Sequence, residues 1–236
     1  MDFLKFAYLL LLALILLIQG CASKNLQYNN VRFHTGQYDK YTQFINKQYP
    51  DSFALTQRII LNAGGKQYDF IGQLAMHRGK AFRAAAFGEM GGLFIDILFK
   101  NDSLSVLANP TNMPENPISK GVAEDIRQIF CYNIYSEPEV AEADTNIVNI
   151  IFKAENNERL IYSINKKTNQ ILKLETYSRD KQIRSVKFME FKKYPELEWK
   201  IPSIIKLTNN RWHYSLEIYL LKFNTLYDAN KVFKIN

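Results

Sequence analysis

Apolar and polar residues alternate along most of the chain beyond Leu55, and polar turn residues interrupt the alternation at short intervals. Alternation with a period of two predicts strands that bury one face, and Gly, Asn and Asp at the breaks suit tight connections. The pattern predicts eleven strands, which are Leu55–Leu61, Gln67–Met76, Lys80–Phe87, Leu93–Lys100, Ser103–Leu107, Asn146–Lys153, Leu160–Asn165, Ile171–Ser178, Gln182–Tyr194, Ile201–Thr208 and Tyr214–Phe223.

Two other segments have apolar residues at helical spacing instead. The first predicted helix is Gln37–Tyr49, which Pro50 ends, and its apolar face consists of Tyr38, Tyr41, Phe44, Ile45 and Tyr49. The second is Ser119–Tyr132, whose apolar stripe consists of Val122, Ile126, Ile129 and Phe130. On this second helix we expect Glu124, Asp125 and Arg127 to face away from the stripe.

The order of these elements predicts the fold class. Strands follow one another without helices between them, so the β-helix-β rhythm of a parallel sheet is absent. A mainly β (α+β) domain is expected, in which one antiparallel meander has helices packed on one side. A curved sheet with an apolar concave face does not fill its interior with its own side chains alone. The helices therefore cover a cleft that can accept lipid.

The N-terminus has the order of a secretory signal, in which Lys5 precedes an apolar run from Phe6 to Ile18 and then a small residue before Cys21. The run is shorter than the about 20 residues that a membrane span needs. Ile18-Gln19-Gly20-Cys21 resembles the lipobox of bacterial lipoproteins, which implies that Cys21 is acylated and becomes the mature N-terminus. Ala22 at the next position implies the outer membrane. The alternatives are a plain cleaved signal or a short anchor with an incidental cysteine.

Three segments follow from this interpretation. Residues 1–20 are the signal peptide, residues 21–30 are the lipidated cysteine and a polar tether, and residues 31–236 form one domain. The formal net charge is +7, and removal of Lys5 together with Asp2 leaves it unchanged. Nucleic acid is not an expected partner because the chain is exported and has no cluster of Lys or Arg longer than a pair. Cys131 has no cysteine partner once Cys21 is lipidated, and it is expected to be a buried, inert thiol.

The sequence offers no residues for catalysis or for a metal. His34, His77 and His213 are not spaced as metal ligands, and no Gly-x-Ser-x-Gly elbow is present. Ala63-Gly64-Gly65-Lys66 is predicted to be a hairpin turn because a strand follows it, not the helix that a phosphate loop needs. The carboxylates of the segment Ser136 to Thr145, at Glu137, Glu139, Glu142 and Asp144, are expected to be a solvated acidic loop. We expect a protein that is not an enzyme and has no cofactor; a lipid or glycan hydrolase is the remaining enzymatic alternative.

One loop carries a pattern of its own. Gly88-Glu89-Met90-Gly91-Gly92 places three glycines around a single methionine. Met90 either folds back into the core or forms an exposed apolar finger that touches lipid or an acyl chain, a role that suits its adaptable thioether.

Three stretches together resemble the LolA/LolB-like superfamily of outer-membrane lipoproteins. They are Phe87–Leu93, Pro117–Phe130, and Ile201–Thr208 with Tyr214–Ile218. The resemblance implies an unclosed, strongly curved sheet of about eleven strands capped by helices over an apolar cavity. It also implies that the loop at Gly88, Met90, Gly91 and Gly92 contacts membrane or cargo; the receptors of this superfamily have a protruding leucine there.

The apolar faces of the strands and of the second helix supply the candidate residues for the lining of the cavity, with simple core packing as the alternative for many of them. These are Phe82, Ile95, Ile97, Val122, Ile126, Ile150, Leu174, Ile205, Leu216 and Ile218. The predicted function is a lipid-anchored protein at the periplasmic face of the outer membrane that binds acyl chains or acylated lipoprotein cargo, acting as a monomer with a periplasmic carrier as a partner. The alternative is a structural or assembly lipoprotein that holds a protein partner at the envelope.

Overall fold

Twelve strands form one antiparallel sheet in the computed structural model, which describes residues 38–108, 120–131, 138, 140–143, 145–154 and 157–226. All of these residues belong to one compact unit of the chain. The strands are β1 (Ser52–Ala63), β2 (Lys66–His77), β3 (Ala81–Phe87), β4 (Leu93–Lys100), β5 (Ser103–Ala108), β6 (Val140–Ala143), β7 (Ile147–Lys153), β8 (Glu158–Asn165), β9 (Ile171–Ser178), β10 (Lys181–Lys193), β11 (Lys200–Asn209) and β12 (Tyr214–Thr225).

The strand order along the sheet is β5-β4-β3-β2-β1-β12-β11-β10-β9-β8-β7-β6. Each half is a meander of consecutive strands, and the pairing of β1 with β12 joins the two halves. Within the described residues β5 and β6 are the two edges and do not pair with each other, so the sheet is not closed into a barrel. The predicted fold class, a mainly β, unclosed antiparallel half-barrel with helices, is confirmed.

The twelfth strand corrects the sequence-based count. β6 (Val140–Ala143) lies within the segment that was predicted to be an acidic loop, and it pairs with β7 at the edge of the sheet. Charged residues are common in short edge strands because they discourage pairing with other chains. The acidic composition therefore does not exclude a strand here. Glu137, Glu139 and Asp144 lie outside the described residues.

Two helices accompany the sheet. Helix α1 (Tyr38–Lys47) confirms the first predicted helix, and its Ile45 is buried. Phe44 is 38% exposed, so the buried face of α1 is narrower than predicted. Helix α2 (Gly121–Ile126) continues into a π-helical turn, Arg127–Cys131. The expectation that Asp125 faces away is wrong, because this carboxylate is only 1% exposed.

The core lies on the inner face of the sheet, beneath α1 and α2. Its largest fully buried side chains come from both halves of the sheet and include Phe53, Phe82, Ile150 and Leu160. Val148 and Ile164 continue it toward β6. Alternate residues of β1 to β5 and of β7 to β12 reach this core, so this face of the sheet is apolar, as the alternation in the sequence predicts.

Antiparallel pairing places several turns at the same end of the sheet. The β1–β2 turn at Gly64-Gly65, the β3–β4 loop that contains Met90 and the β11–β12 turn lie together at this end, which we call the Met90 end. Gly64 and Gly65 both have positive φ angles, +58° and +74°, as a two-residue hairpin turn requires. The β2–β3 turn at Arg78 and the C-terminal end of β10 lie at the opposite end.

Candidate functional site

The residues nominated as cavity lining all lie in the core or against it. Seven are buried with at most 7% exposure: Phe82, Ile97, Ile150, Leu174, Ile205, Leu216 and Ile218. Ile95, Val122 and Ile126 are partly buried and pack against the same core. The structure thus brings the eight strand residues together on the inner face, where Val122 and Ile126 of α2 pack against the same core. Whether they line a lipid cavity stays a prediction, because in this conformation most of them are closely packed.

Helix α2 and its π-helical turn fill the inner face. Ala123, Ile129 and Phe130 are buried in the core, and the Phe130 ring contacts the Tyr49 ring edge-to-face at a centroid distance of 5.2 Å. Single π-helical turns inside helices are rare and occur often at functional sites. Because this helix covers the inner strands, any large ligand of the inner face must displace it.

The N-terminal end of α2 lies directly against the β11–β12 turn at the Met90 end. A Cβ atom added at Gly121 would lie 2.7 Å from Cδ1 of Trp212 and 3.1 Å from the Tyr214 hydroxyl oxygen. Contacts under 3.0 Å are too short for real Cβ atoms, so Trp212 can approach this closely only because residue 121 is glycine. Gly121 therefore sets how near the helix lies to the sheet.

A buried polar cluster joins α2 to the sheet beside this contact. Asp125 on α2 forms an ion pair with Arg184 of β10, and both residues are 1% exposed. The Asn209 side chain donates to both Asp125 carboxylate oxygens at 3.1 and 3.3 Å. The Tyr214 hydroxyl also donates to this carboxylate. One carboxylate of the helix is thus held by three neighbouring strands, β10, β11 and β12.

Three further ionic contacts surround this cluster. Arg184 donates to Glu124 at 3.1 Å, and Arg211 lies 3.8 Å from the same Glu124 carboxylate. Arg211 also pairs with Glu158 of β8. Farther along the inner face, the Thr176 hydroxyl donates to the Gln128 side chain at 3.0 Å. These polar contacts fix the helix at specific positions, which apolar packing by itself does not do.

Burial dominates the electrostatics of this cluster. Burial raises the pKa of Asp125, and the charge of Arg184 and the hydrogen bonds from Tyr214 and Asn209 oppose that rise without cancelling it. The pKa of Tyr214 is also raised, first by burial and then by the charge of Asp125. The tyrosine therefore stays protonated and remains a donor to the carboxylate.

Helix α1 covers the opposite end of the sheet. The Arg78 guanidinium donates to the backbone carbonyls of Asn46 and Tyr49, the latter at 2.8 Å. Trp199 donates to the carbonyl of Gln48 at 2.8 Å. A cavity of about 10 Å³, room for about one water molecule, lies here between α1 and the π-helical turn. Its lining includes Tyr49, Arg78, Gln128 and, from the nominated residues, Leu174.

The loop that contains Met90 is a tight turn with an exposed tip. The Gly88 amide donates to the Gly92 carbonyl at 2.9 Å, and the Gly91 amide donates to the Gly88 carbonyl at 2.8 Å. Gly91 has a φ of +77°, a conformation that favours glycine. Met90 is fully exposed, so the alternative in which it folds back into the core does not describe this conformation. That Met90 contacts lipid stays a prediction.

The polar cluster was not predicted from the sequence, although the sequence contains a signal for it. Asp125 lies three residues after Val122 and four before Ile129, so helical spacing places it inside the apolar stripe. A carboxylate in such a stripe must find partners, and Arg184, Asn209 and Tyr214 supply them from distant parts of the chain. Their identity cannot be read from local spacing.

Cys21 and His34 lie outside the described residues, and so does the side chain of Cys131. Among the residues that are described, no group of three or more His, Cys, Asp or Glu side chains is placed to hold a metal ion. No helix in the described part of the chain is both long and apolar enough to cross a membrane.

Comparisons with known proteins identify the fold. No protein-family model matches the chain, and no curated protein matches it. Among solved structures, a LolA superfamily protein from Nitrosomonas europaea aligns with a TM-score of 0.61 and 12% identity, over 84% of this chain and 97% of that one. A DUF1329 family protein from Desulfovibrio piger aligns with a TM-score of 0.50 and 12% identity, over 82% and 95%.

A third structure is a putative outer membrane lipoprotein-sorting protein domain from Vibrio parahaemolyticus, with a TM-score of 0.49 and 13% identity over 82% of this chain and 97% of that one. At these identities the likeness concerns the fold. The resemblance predicted from the sequence is confirmed at this level, and the chain has the fold of the LolA/LolB-like superfamily.

Proposed function

We propose that this chain is a lipid-anchored, non-enzymatic carrier or receptor of the outer membrane that binds acyl chains on the inner face of its sheet. The observation that carries the proposal is the continuous apolar inner face, which is covered by a separate short helix and not by a second sheet. The fold shared with a LolA superfamily protein supports the same class of function.

Binding in this proposal requires α2 to move. An acyl chain replaces Ala123, Ile129 and Phe130 against the inner strands, and the free energy of burying it offsets the loss of their packing. Transfer of methylenes from water contributes roughly 0.8 kcal/mol each, so about ten of them contribute roughly 8 kcal/mol. The contacts at Asp125 return the helix to one position when the ligand leaves.

The finer parts of the proposal concern place and delivery. Cys21 carries the acyl anchor, and two or three acyl chains there hold the protein firmly on the membrane. The anchored domain lies on the periplasmic side of the outer membrane, where a periplasmic carrier delivers acylated lipoprotein or lipid. Met90, at its exposed tip, touches the cargo or the bilayer during transfer.

Native mass spectrometry tests the binding directly. The chain starting at Ala22 is purified without detergent, and its mass is compared before and after incubation with an acylated peptide. The proposal expects an added mass that corresponds to one acylated ligand. The control is the same peptide without its acyl chain, which should add no mass. An unchanged mass with both peptides and with free fatty acid would contradict an acyl-binding function.

A further inference from the structure

A band of apolar side chains crosses the outer face of the sheet, the face away from the core. Directly opposed partners in antiparallel strands lie side by side on one face. Successive partners are Leu93 and Phe87, Phe87 and Ile71, Ile71 and Arg58, Arg58 and Tyr219, Tyr219 and Ile204, and Ile204 and Met189. We call the six residues of this row other than Arg58 the outer band; they are Leu93, Phe87, Ile71, Tyr219, Ile204 and Met189.

Most of the exposed large apolar side chains of the described residues lie in the outer band or directly beside it. Six such side chains are exposed, and Ile71 (41%) and Met189 (40%) lie in the band itself. Met90 is in the loop that joins Phe87 to Leu93, at one end of the band. Leu221, 56% exposed, is the extra residue of a bulge in β12, two positions from Tyr219. Four of the six thus lie in or beside one band.

Such a band is unusual on the solvent face of an antiparallel sheet, which normally carries polar side chains. Contiguous exposed apolar patches mark interaction surfaces. The candidate occupants of this surface are lipid and a second copy of this chain. The net charge of the chain distinguishes between them. With a formal net charge of +7, two copies repel each other, whereas an anionic lipid surface attracts the chain.

Several of the polar residues around the outer band fit a bilayer interface. Lys187 and Lys222 are exposed and have no ion pair within the described residues. Arg58 in the row is held by Asp69, to which its Nε donates at 3.0 and 3.1 Å. Tyr219 presents a ring whose hydroxyl donates to Glu217 at 2.8 Å. Tyrosine and lysine among apolar side chains are typical of the membrane–water boundary.

The proposed anchor at Cys21 also favours the membrane as the occupant of the outer band. Sixteen residues separate Cys21 from the first residue of α1, and these extend at most roughly 55 Å. A domain tethered so close to the bilayer meets it at high effective concentration, so a weakly binding surface suffices.

We propose that the outer band, together with Met90 and Leu221, lies against the anionic membrane surface and sets the orientation of the anchored domain. The inference rests on the proposed anchoring through Cys21. It differs from a contact of the Met90 loop alone, because it assigns the membrane contact to the outer face of β2, β10, β11 and β12. In this orientation the inner face of the sheet points away from the lipid.

The test uses the full lipidated chain in vesicles of phosphatidylethanolamine with a minor share of phosphatidylglycerol. Ile71→Trp and Phe44→Trp are compared, each after subtraction of the signal from the native Trp199 and Trp212. Phe44 is the matched control because its exposure is similar and it lies on α1, outside the outer band. With brominated lipids, the indole at position 71 should lose about half its fluorescence or more, since a side chain at ~5–10 Å depth meets the bromines. The indole at position 44 should lose little.

A second variant checks that the apolar surface causes the contact. Met189→Glu combined with Leu221→Glu should abolish the quenching at position 71 while the chain still floats with the vesicles. Equal quenching at positions 71 and 44, or none at either, overturns the inference. If position 71 is unquenched by lipid yet shielded from a water-soluble quencher, a protein occupies the band and the membrane contact is wrong.

Flotation and native mass spectrometry separate this result from the proposed function. A chain that floats and binds acyl ligand, but shows no quenching at position 71, refutes only the orientation. A chain that does not float with vesicles refutes the proposed anchor and this inference together.

Discussion

The carboxylate of Asp125 shows how a single side chain fixes the position of a helix. Removing two charges from water costs several kcal/mol for each ion, and the attraction between Asp125 and Arg184 returns this only with good additional hydrogen bonds. Asn209 and Tyr214 supply those bonds. The cluster therefore contributes little net stability but strongly selects one arrangement of α2, since any shift leaves a buried charge without its partners.

The raised pKa of Asp125 makes a prediction about pH. Because its pKa is higher in the folded chain than the value near 3.9 in the unfolded chain, the folded state binds more protons between these two pKa values. The contribution of this group to stability is therefore fully present below the unfolded pKa and is lost as pH rises through the folded pKa.

Asp125→Asn removes this titration, so the unmodified chain should gain free energy of unfolding relative to the variant as pH falls from 7 toward about 4. Urea unfolding of both proteins over this range measures the difference. Other carboxylates, such as Asp69, are present in both proteins and cancel in the comparison. A difference that instead grows with rising pH would mean that Arg184 lowers the pKa of Asp125 below its ordinary value.

A substitution at Met90 tests function without a change in stability, because the Met90 side chain is fully exposed and does not pack against the core. Met90→Glu should leave the free energy of unfolding within about 0.5 kcal/mol of the unmodified chain. Transfer of acylated peptide to vesicles should fall at least about tenfold, because a carboxylate is costly at the acyl boundary. Glu89→Gln in the same turn is the control and should transfer normally. Unchanged transfer by the Met90 variant would refute the role of this tip.

At the scale of elements, α2 and its contact with the β11–β12 turn decide how tightly the inner face is covered. The helix is short, and its helical stability comes from tertiary contacts more than from its own propensity. Those contacts are the apolar residues below it, the Asp125 cluster, and the close approach of Gly121 to Trp212.

Gly121→Ala tests that close approach. The added Cβ meets Trp212 at 2.7 Å, so the helix must shift, and overpacking of this kind costs about 1–3 kcal/mol. Gly92→Ala is the matched control because its Cβ meets nothing within 4 Å and its φ is not positive. Thermal unfolding should show a clear loss for Gly121→Ala and almost none for Gly92→Ala. Equal losses of thermal stability in the two variants would show that the close approach of Gly121 to Trp212 does not limit the position of α2.

The C-terminal end of α1 depends on Arg78 in a comparable way. Its guanidinium is the donor to the Asn46 and Tyr49 carbonyls, groups that the end of a helix leaves without partners. Arg78→Met should cost about 1.5–3 kcal/mol, the value of hydrogen bonds from a charged donor.

The control for Arg78 is Arg159→Met, which removes an exposed pair with Asp180 and should cost no more than about 1 kcal/mol. Urea unfolding measures both free energies. Similar costs for the two variants would show that Arg78 does not hold α1 against the sheet.

Across the whole molecule, the sequence predicted the fold well where one physical rule governs many residues. Alternation locates eleven of the twelve strands, because each strand has to bury one face against the same core. It failed at β6, where the strand is four residues long and lies at an edge. The observed strand boundaries also differ from the predicted ones, as at β1, which begins at Ser52 and not at Leu55.

The candidate site was predictable in part. The inner-face residues, such as Ile97 and Ile205, follow from alternation, whereas the glycines around Met90 left open whether its side chain is exposed or folds back into the core. The outer band was not predicted, because Ile71 and Met189 come into one row across the sheet only through the registers of several strands. Likewise, alternation marks a side chain as inward-facing but does not show whether it packs against protein or against a ligand.

Photolabelling tests the central claim, that acyl chains bind on the inner face beneath α2, most directly. A fatty acid with a photoreactive diazirine is bound to the chain, irradiated, and the labelled peptides are identified by mass spectrometry. The account predicts labels on inner-face residues such as Phe82, Ile97 and Leu174, and a loss of label when unlabelled fatty acid competes. Labels confined to the outer face, or unaffected by competition, would contradict binding in the interior.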